Sequence, residues 1–445
     1  MKMAATEINV ATVLDNERLR WPHILIWGIC FLSNLLDGFD AQLMAFASPA
    51  ITKQWHLPPT AFAAVFVAAT AGIAIGNFIS GPIADRFGRK NVIVATTVMY
   101  ALATLAVPYC ESLGEIAILR LVAGIGLGAV IPNTFAITSE YAPARYRATL
   151  IGTMFVGGPL GGVLAGFLSA YVISTFGWQA VFTMGGILPM ILLPFVAFFM
   201  PESVRFLVAR GADRKVVAGH LNRMAGERKY YGAEIFILPA QPKKAFFVKQ
   251  LFSEGRAVST SLVTATYIAN MVVLFFLANW LPLALKDAKV SPENLLRISS
   301  LFYLGGVLGG IVLARIVDLY GTYRTLIPTF IITIFLSASI GYTTEHVWAM
   351  VAAIFLSGFC VIGGQTAVHP ITASIYPTSI RSSGMSWALG VGRIGSIIGS
   401  SAGGILLGLD LGSRNIFLLL AIPTTITVVA LAALSKVRHG VEDAI

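Results

Sequence analysis

Along the chain, long runs of apolar residues alternate with short polar breaks. Cutting at runs long enough to cross about 30 Å of hydrocarbon gives twelve candidate spans, at roughly 23–51, 60–83, 91–109, 114–139, 147–171, 178–200, 259–285, 293–317, 325–342, 346–372, 382–408 and 414–435. In lipid a helix satisfies its own backbone, so runs of this length predict membrane-spanning helices. The one long polar stretch, 201–258, is rich in Arg, Lys, Gly and Pro and divides the spans six and six. The expected fold is all-α integral membrane, with twelve transmembrane helices in two pseudo-symmetric six-helix bundles. Its segments are a tail over 1–22, a bundle over 23–200, a central loop over 201–258, a second bundle over 259–435 and a tail over 436–445.

Composition agrees with the pattern. Hydrophobic residues make up 56% of the chain and charged residues 12%, against about 25% charged in a soluble domain. The first 20 residues are polar and mixed in charge, and the first apolar run is too long for a signal peptide, so no cleavable signal is expected. Cys30, Cys110 and Cys360 lie far apart, within or at the end of apolar runs, and are expected to pack instead of binding metal or forming disulfides.

The net charge of +10 acquires a meaning once it is distributed over the spans. With the N-terminus inside, the inner segments hold 24 of the 31 Lys and Arg. The outer loops hold Lys53, Lys286, Lys289, Arg297 and Arg414, and Arg120 and Arg393 lie inside spans. Such an asymmetry sets both termini and the central loop in the cytoplasm. The basic excess is therefore read as topology, not as a nucleic-acid surface.

The halves repeat one another. "GPIADRFGRK" (81–90) follows span 2 and "ARIVDLYGTYR" (314–324) follows span 8, each with an Asp three residues before a Gly: Asp85 and Gly88, Asp318 and Gly321. "EYAPARYRAT" (140–149) follows span 4 and "SIYPTSIRSS" (374–383) follows span 10, aligning Pro143 with Pro377 and Arg147 with Arg381. The offsets are 233 and 234 residues. A duplicated bundle around a central loop is the architecture of transporters that rock about a midplane site.

These motifs also carry a family resemblance. "GPIADRFGRK" resembles the loop 2–3 signature of the major facilitator superfamily, "RLVAGIGLG" (120–128) resembles its fourth-helix motif, and "PESVRFL" (201–207) is similar to a motif of its sugar and organic-ion branches. "LDGFD" in span 1 resembles the Asp-Gly-x-Asp signature of the aromatic acid:proton symporter family, and "GVGRIG" (390–395) is similar to its helix 11 element. The second half departs from the pattern, because "DLYGTYR" lacks the Asp-Arg pair and the Arg-Lys run. The resemblance covers about residues 20–438. It implies the major facilitator fold and carriage of an aromatic acid.

The intramembrane charges are the candidate chemistry. At 100° per residue Ser33, Asn34, Asp37 and Asp40 share an arc of about 120° on span 1, so they face a cavity or a partner and not lipid. Arg120 in span 4 lies at similar depth and is expected to pair with Asp40 or Asp37. Asp37 is the expected proton carrier and Asp40 the arginine's partner; both acids serving only as structural ties is the alternative. Arg393, near the middle of span 11, has no acid in its own span or in spans 7, 9 and 10. A guanidinium matches a carboxylate with two parallel donors, so Arg393 is the expected receiver of an anionic substrate. Asn34, Asn270, Gln365 and His369 are weaker candidates for substrate contact, because a lone polar residue in a span often joins two helices. Phe275, Tyr303, Phe359 and Trp387 are candidates to stack on an aromatic ring.

A gate is expected at the inner surface. Gly81 and Gly88 would allow close approach and a tight turn. Asp85, with Arg86, Arg89 and Lys90 around it, would sit at the N-terminus of span 11 near Arg381. Asp318 is its counterpart, and Glu140 with Arg145, Arg147 and Arg205 would form a second charge network. The sequence has no phosphate-cradling loop, Cys/His metal cluster or nucleophile motif, so neither an enzyme nor a cofactor is expected and an ion gradient must supply the energy.

The expectation is an inner-membrane symporter, monomeric in its functional unit, that imports a small aromatic carboxylate with protons by alternating access. The aromatic character follows from the resemblance, and the anion and the proton from the buried charges. The alternatives are a sugar or organic-ion porter, a proton-coupled drug exporter, and a membrane sensor or channel.

Overall fold

A computed structural model describes residues 7–238, 248–285, 290–377, 380–409 and 411–442. Among them twelve helices are long and apolar enough to span a membrane. They are α1 (Trp21–Trp55), α2 (Pro59–Phe87), α3 (Arg89–Tyr109), α4 (Leu113–Tyr141), α5 (Arg147–Phe176), α6 (Trp178–Phe199), α7 (Ala257–Ala284), α8 (Pro292–Tyr320), α9 (Thr322–Ile340), α10 (Val347–Ile375), α11 (Arg381–Gly408) and α12 (Arg414–Val437). With six spans in each half, both termini and the central loop fall at one end of the molecule, called here the terminal end; the other is the distal end. Lys286 and Lys289, which counted toward the charge asymmetry, lie outside the described residues.

The repeated Asp-x-x-Gly element has a backbone explanation. Gly88 breaks α2 from α3 at φ 93°, and Gly321 breaks α8 from α9 at φ 85°. A side chain is strained in that region, so the same glycine recurs 233 residues later at the same turn.

Packing within the bundles follows the same offset. A Cβ on Gly72 or Gly76 of α2 would lie 2.3 or 2.1 Å from a carbonyl oxygen of α4, and one on Gly305 or Gly309 of α8 would lie 2.0 or 2.1 Å from one of α10. A Cβ on Gly161 would meet the Leu35 carbonyl oxygen at 2.0 Å, and one on Gly395 that of Ile268 at 2.2 Å. Each corresponding pair is 233 or 234 positions apart. Lipid offers no hydrophobic drive between helices, so close backbone contact has to supply the attraction.

The bundles meet at the distal end. Trp280 near the end of α7 lies edge-on to Phe66 of α2 at 5.0 Å, and Tyr303 of α8 meets Phe46 of α1 at 6.5 Å and packs on Gly162 of α5. Pairs of this kind are each worth about 0.5–1.5 kcal/mol beyond the area they bury. The terminal end is looser: Gly81 and Gly321 have open space around them.

The polar segments at the terminal end also fold. Strand β1 (Glu7–Asn9) pairs in parallel with β2 (Ile235–Ile237), a small addition to the all-α expectation. The following helix, Val10–Asn16, packs Val10 and Leu14 with Val217 and Leu221 of helix Arg214–Ala225 and with Ile26, Ile137 and Val204. The tail is thereby seated on the central loop and on the first bundle.

Candidate functional site

The polar stripe of α1 reaches three neighbours. Asn34 Nδ2 donates to the Cys30 carbonyl at 2.7 Å and to Thr134 Oγ1 of α4 at 3.0 Å. Asp40 is fully buried; it accepts from Thr104 Oγ1 of α3 at 2.7 Å and from Arg120 Nη1 of α4 at 3.2 Å. Arg120 Nη2 donates to Thr104 Oγ1 at 2.6 Å, and its guanidinium lies 5.5 Å from the centre of the Phe182 ring of α6. A buried charge pair is helped when further positions are bonded, and Thr104 bonds both members, although Arg120 Nε is buried with no hydrogen-bond partner among the described residues. Between the two acids, a Cβ on Gly38 would lie 2.0 Å from the Gly158 carbonyl oxygen, so the glycine of "LDGFD" is where α1 and α5 touch.

Asp37 has a different setting. Its side chain is buried, and Oδ1 has no hydrogen-bond partner. Two charges act on it, Asp40 one turn along α1 and Arg393 of α11 in the other bundle, and no N–O contact within 4.0 Å joins Asp37 to Arg393. The acid and the guanidinium belong to different bundles and are not joined as an ion pair.

On the second bundle's side Asn270 Nδ2 of α7 donates to Gln365 Oε1 of α10 at 2.6 Å, while Gln365 Nε2 is buried without a partner. One turn away on α7, the Tyr267 hydroxyl lies 2.7 Å from His369 Nδ1 and 3.3 Å from Thr372 Oγ1. Tyr267 also lines Gly392, the neighbour of Arg393.

Three of the four aromatic candidates have partners of their own within the protein. The Tyr303 hydroxyl bonds Gln42 Oε1 of α1 and the Ala278 carbonyl, so Tyr303 belongs to the distal seam. Phe359 packs with the core between α7, α8, α9 and α10, where its carbonyl meets Gly309. Trp387 donates to Thr264 Oγ1 at 3.3 Å and lies edge-on to Phe252 at 5.7 Å. It stands six residues, about 9 Å of helix, toward the terminal end from Arg393. Phe275 is partly buried on α7.

The contacts expected of an inner gate are not made in this structure. Asp85 is exposed and forms no ion pair with Arg381; Arg381 is exposed too, and its Nε donates to the Tyr376 carbonyl at 3.5 Å. Asp318 is exposed likewise, Arg86 lends its carbonyl to Arg210 at 2.6 Å, and Gly81 makes no close approach. The physical reason is that these exposed charges have no partner of opposite sign within 4.0 Å among the described residues.

The charge network lies within the first bundle instead. Glu140 pairs with Arg89 and accepts from Ser203 Oγ at 2.6 Å and from the Arg205 backbone N–H at 2.7 Å. Arg147 pairs with Asp15 of the tail, and Arg145 lies over the Tyr146 ring, so neither reaches Glu140. Glu202, unremarked within "PESVRFL", accepts from the backbone N–H groups of Arg89 and Lys90 at 2.9 and 3.2 Å and caps α3.

A family model for the Major Facilitator Superfamily matches residues 30–298 and 284–444. The chain belongs to the major facilitator superfamily. It is 36% identical to a gallate transporter of Pseudomonas putida, over 97% of this chain and 96% of that protein. It is 34% identical to a 4-hydroxybenzoate transporter of Acinetobacter baylyi, over 95% and 93%. Among solved structures the partially occluded inward-open xylose transporter of E. coli matches with a TM-score of 0.72 at 18% identity, over 93% of this chain and 97% of that one. The protein is accordingly a multi-pass transporter of the inner membrane and not an enzyme.

Within this superfamily member the scaffold repeats and the charges do not. The positions offset from Asp40, Arg120 and Arg393 hold Val273, Ile354 and Pro159. Thr104, Gln42 and Tyr267 were missed in the sequence because hydroxyl and amide side chains on spans usually bond their own helix, as Thr70 and Thr329 do. Glu202 had a signal: an acid directly after a span, beside a serine that caps the next helix.

Proposed function

We propose that the protein imports a small aromatic carboxylate together with protons, as a monomer, with both termini in the cytoplasm. The observation that carries the proposal is buried Asp37, whose Oδ1 has no hydrogen-bond partner among the described residues and whose field reaches Arg393 of the other bundle. Protonation of Asp37 would remove a negative charge that competes with a substrate carboxylate for Arg393, which could then hold that carboxylate with two parallel donors. The printed names of the relatives support an aromatic acid as that substrate.

Asp40 and Arg120 belong to the same cycle as a fixed pair that holds α1 against α3 and α4. Asp37 then carries the proton alone, while α1 remains anchored. The sealed distal end and looser terminal end, together with the basic charge at the terminal end, support a state open to the cytoplasm. Closure at the terminal end is where Asp85, Arg381 and Asp318 would engage, because in the present state they are free to do so.

The test is reconstitution in liposomes with an imposed pH gradient, screening labelled aromatic acids against sugars and organic cations. Accumulation of aromatic acids that follows the gradient is the expected result. Flux indifferent to the gradient, or no preference for carboxylates, would sink the reading.

A further inference from the structure

The couple of Asn270 and Gln365 holds one hydrogen-bond donor in reserve, and its orientation is fixed. Asn270 Nδ2 donates both to the Val361 carbonyl at 3.3 Å and to Gln365 Oε1 at 2.6 Å. A backbone carbonyl can only accept, so the first bond identifies the nitrogen end of the Asn270 amide. The second bond then turns Gln365 Oε1 toward Asn270 and Nε2 away from it. Gln365 is 7% exposed, and its Nε2 is buried without an acceptor among the described residues. Buried donors are ordinarily satisfied, so one left dry needs an explanation.

Its location supplies one. Asn270 stands 233 positions after Asp37, the offset that also relates Leu35 to Ile268 and Gly72 to Gly305. The pseudo-symmetry therefore puts Asn270 on α7 where Asp37 stands on α1, at the seam between bundles, where transporters of repeated architecture hold their cargo. Tyr267, one turn from Asn270, lines the glycine next to Arg393. Arg393 on α11 and Gln365 on α10 thus flank the same stretch of α7. Arg393 already offers two parallel donors suited to a carboxylate, which leaves Gln365 for a different oxygen of the same molecule.

We propose that Gln365 Nε2, held in place by Asn270, donates to an oxygen substituent on the substrate's ring, so that the protein selects ring-oxygenated aromatic acids over unsubstituted or alkylated ones. The inference rests on the aromatic-carboxylate reading above and adds the chemistry at the other end of the ring. Hydroxyl and methoxyl oxygens accept a hydrogen bond, and a methyl group of similar size cannot. A site built around a polar contact rejects the analogue that lacks it, because its own group is then left unpaired.

The experiment measures dissociation constants of the purified full-length protein in lipid nanodiscs. The probes are benzoate and its 3- and 4-hydroxy, methoxy and methyl derivatives. For at least one ring position the wild type is expected to bind the oxygenated acid about tenfold or more tightly than its methyl analogue. In Gln365→Met that ratio is expected to fall to about one, and in Asn270→Ala, where the amide is no longer held, to shrink. A ratio is independent of the fraction of protein that folds, so partial loss of either variant leaves the comparison intact. Equal affinity of the wild type for oxygenated and methylated acids at both positions would overturn the inference. A ratio that persists in Gln365→Met would do the same, marking the residue as a tie between α7 and α10 only. If the wild type binds none of these acids, the aromatic-carboxylate reading falls and takes this one with it; if benzoate binds without the ratio, this one falls alone.

Discussion

Arg120 of α4 and Asp40 of α1 form an ion pair at 3.2 Å in which both side chains are almost wholly removed from solvent, with Thr104 of α3 bonded to each. Three helices are joined at one point by a charge pair that lipid could not solvate. Removing one member leaves the other charged and dry, which typically costs about 3–5 kcal/mol. Arg120→Ala and Asp40→Ala are each expected to lower the thermal unfolding temperature in detergent. The double variant should lose less than the sum of the two, and strict additivity would show that the pair contributes no coupling.

Asp37 is expected to behave differently from Asp40 under conservative change. Asp37→Asn removes the titrating group but keeps its shape. Gradient-driven accumulation should disappear while exchange of labelled for unlabelled substrate continues. Normal accumulation by this variant would make the acid structural.

Arg393→Lys keeps the charge and removes the two-pronged geometry. A bidentate contact is stronger and more directional than a point charge, so substrate affinity should fall by roughly tenfold or more, by about the same factor for all aromatic acids tested. Direct binding measured on the purified protein checks this.

Gly38 and Gly28 provide a paired test on one helix. A Cβ at Gly38 would lie 2.0 Å from a backbone oxygen of α5, whereas one at Gly28 meets nothing within 4 Å. Gly38→Ala should destabilise by about 1–3 kcal/mol through overpacking, and Gly28→Ala should be neutral or stabilising by up to about 1 kcal/mol. Thermal unfolding of both variants in the same detergent distinguishes them.

The distal seal can be trapped. A Cβ on Gly408 of α11 would lie 3.4 Å from Thr60 Cγ2 at the start of α2. Thr60→Cys with Gly408→Cys is expected to cross-link under mild oxidation, to stop transport, and to recover on reduction. Transport undiminished after complete cross-linking would mean that the distal end need not open.

The candidate site was legible in proportion to how abnormal its residues are in lipid. Asp37, Asp40, Arg120 and Arg393 are readable because an unpaired charge in hydrocarbon is so costly that its presence demands a reason. The partners that complete the geometry were not. Thr104, Gln42 and Tyr267 cost little in a span, and no spacing separates a threonine that bonds its own helix from one that bridges two others. The inner network was misassigned for a related reason: Glu140 has several arginines near it in sequence, and only the folded chain brings Arg89 to it and sends Arg147 to Asp15.

By itself the sequence determined the twelve spans, their division into halves and the 233-residue repeat, because hydropathy and glycine at close contacts are local demands that each half must meet again. The tertiary structure decided what lies between the halves: that Asp40 is closed on Arg120 while Asp37 forms no ion pair with Arg393, that the distal end is sealed, and that Asp85 and Arg381 form no ion pair either. Those relationships depend on how two bundles are inclined to one another. Within each bundle the chain specifies its contacts residue by residue, and between them the alternating access proposed above would require a second arrangement.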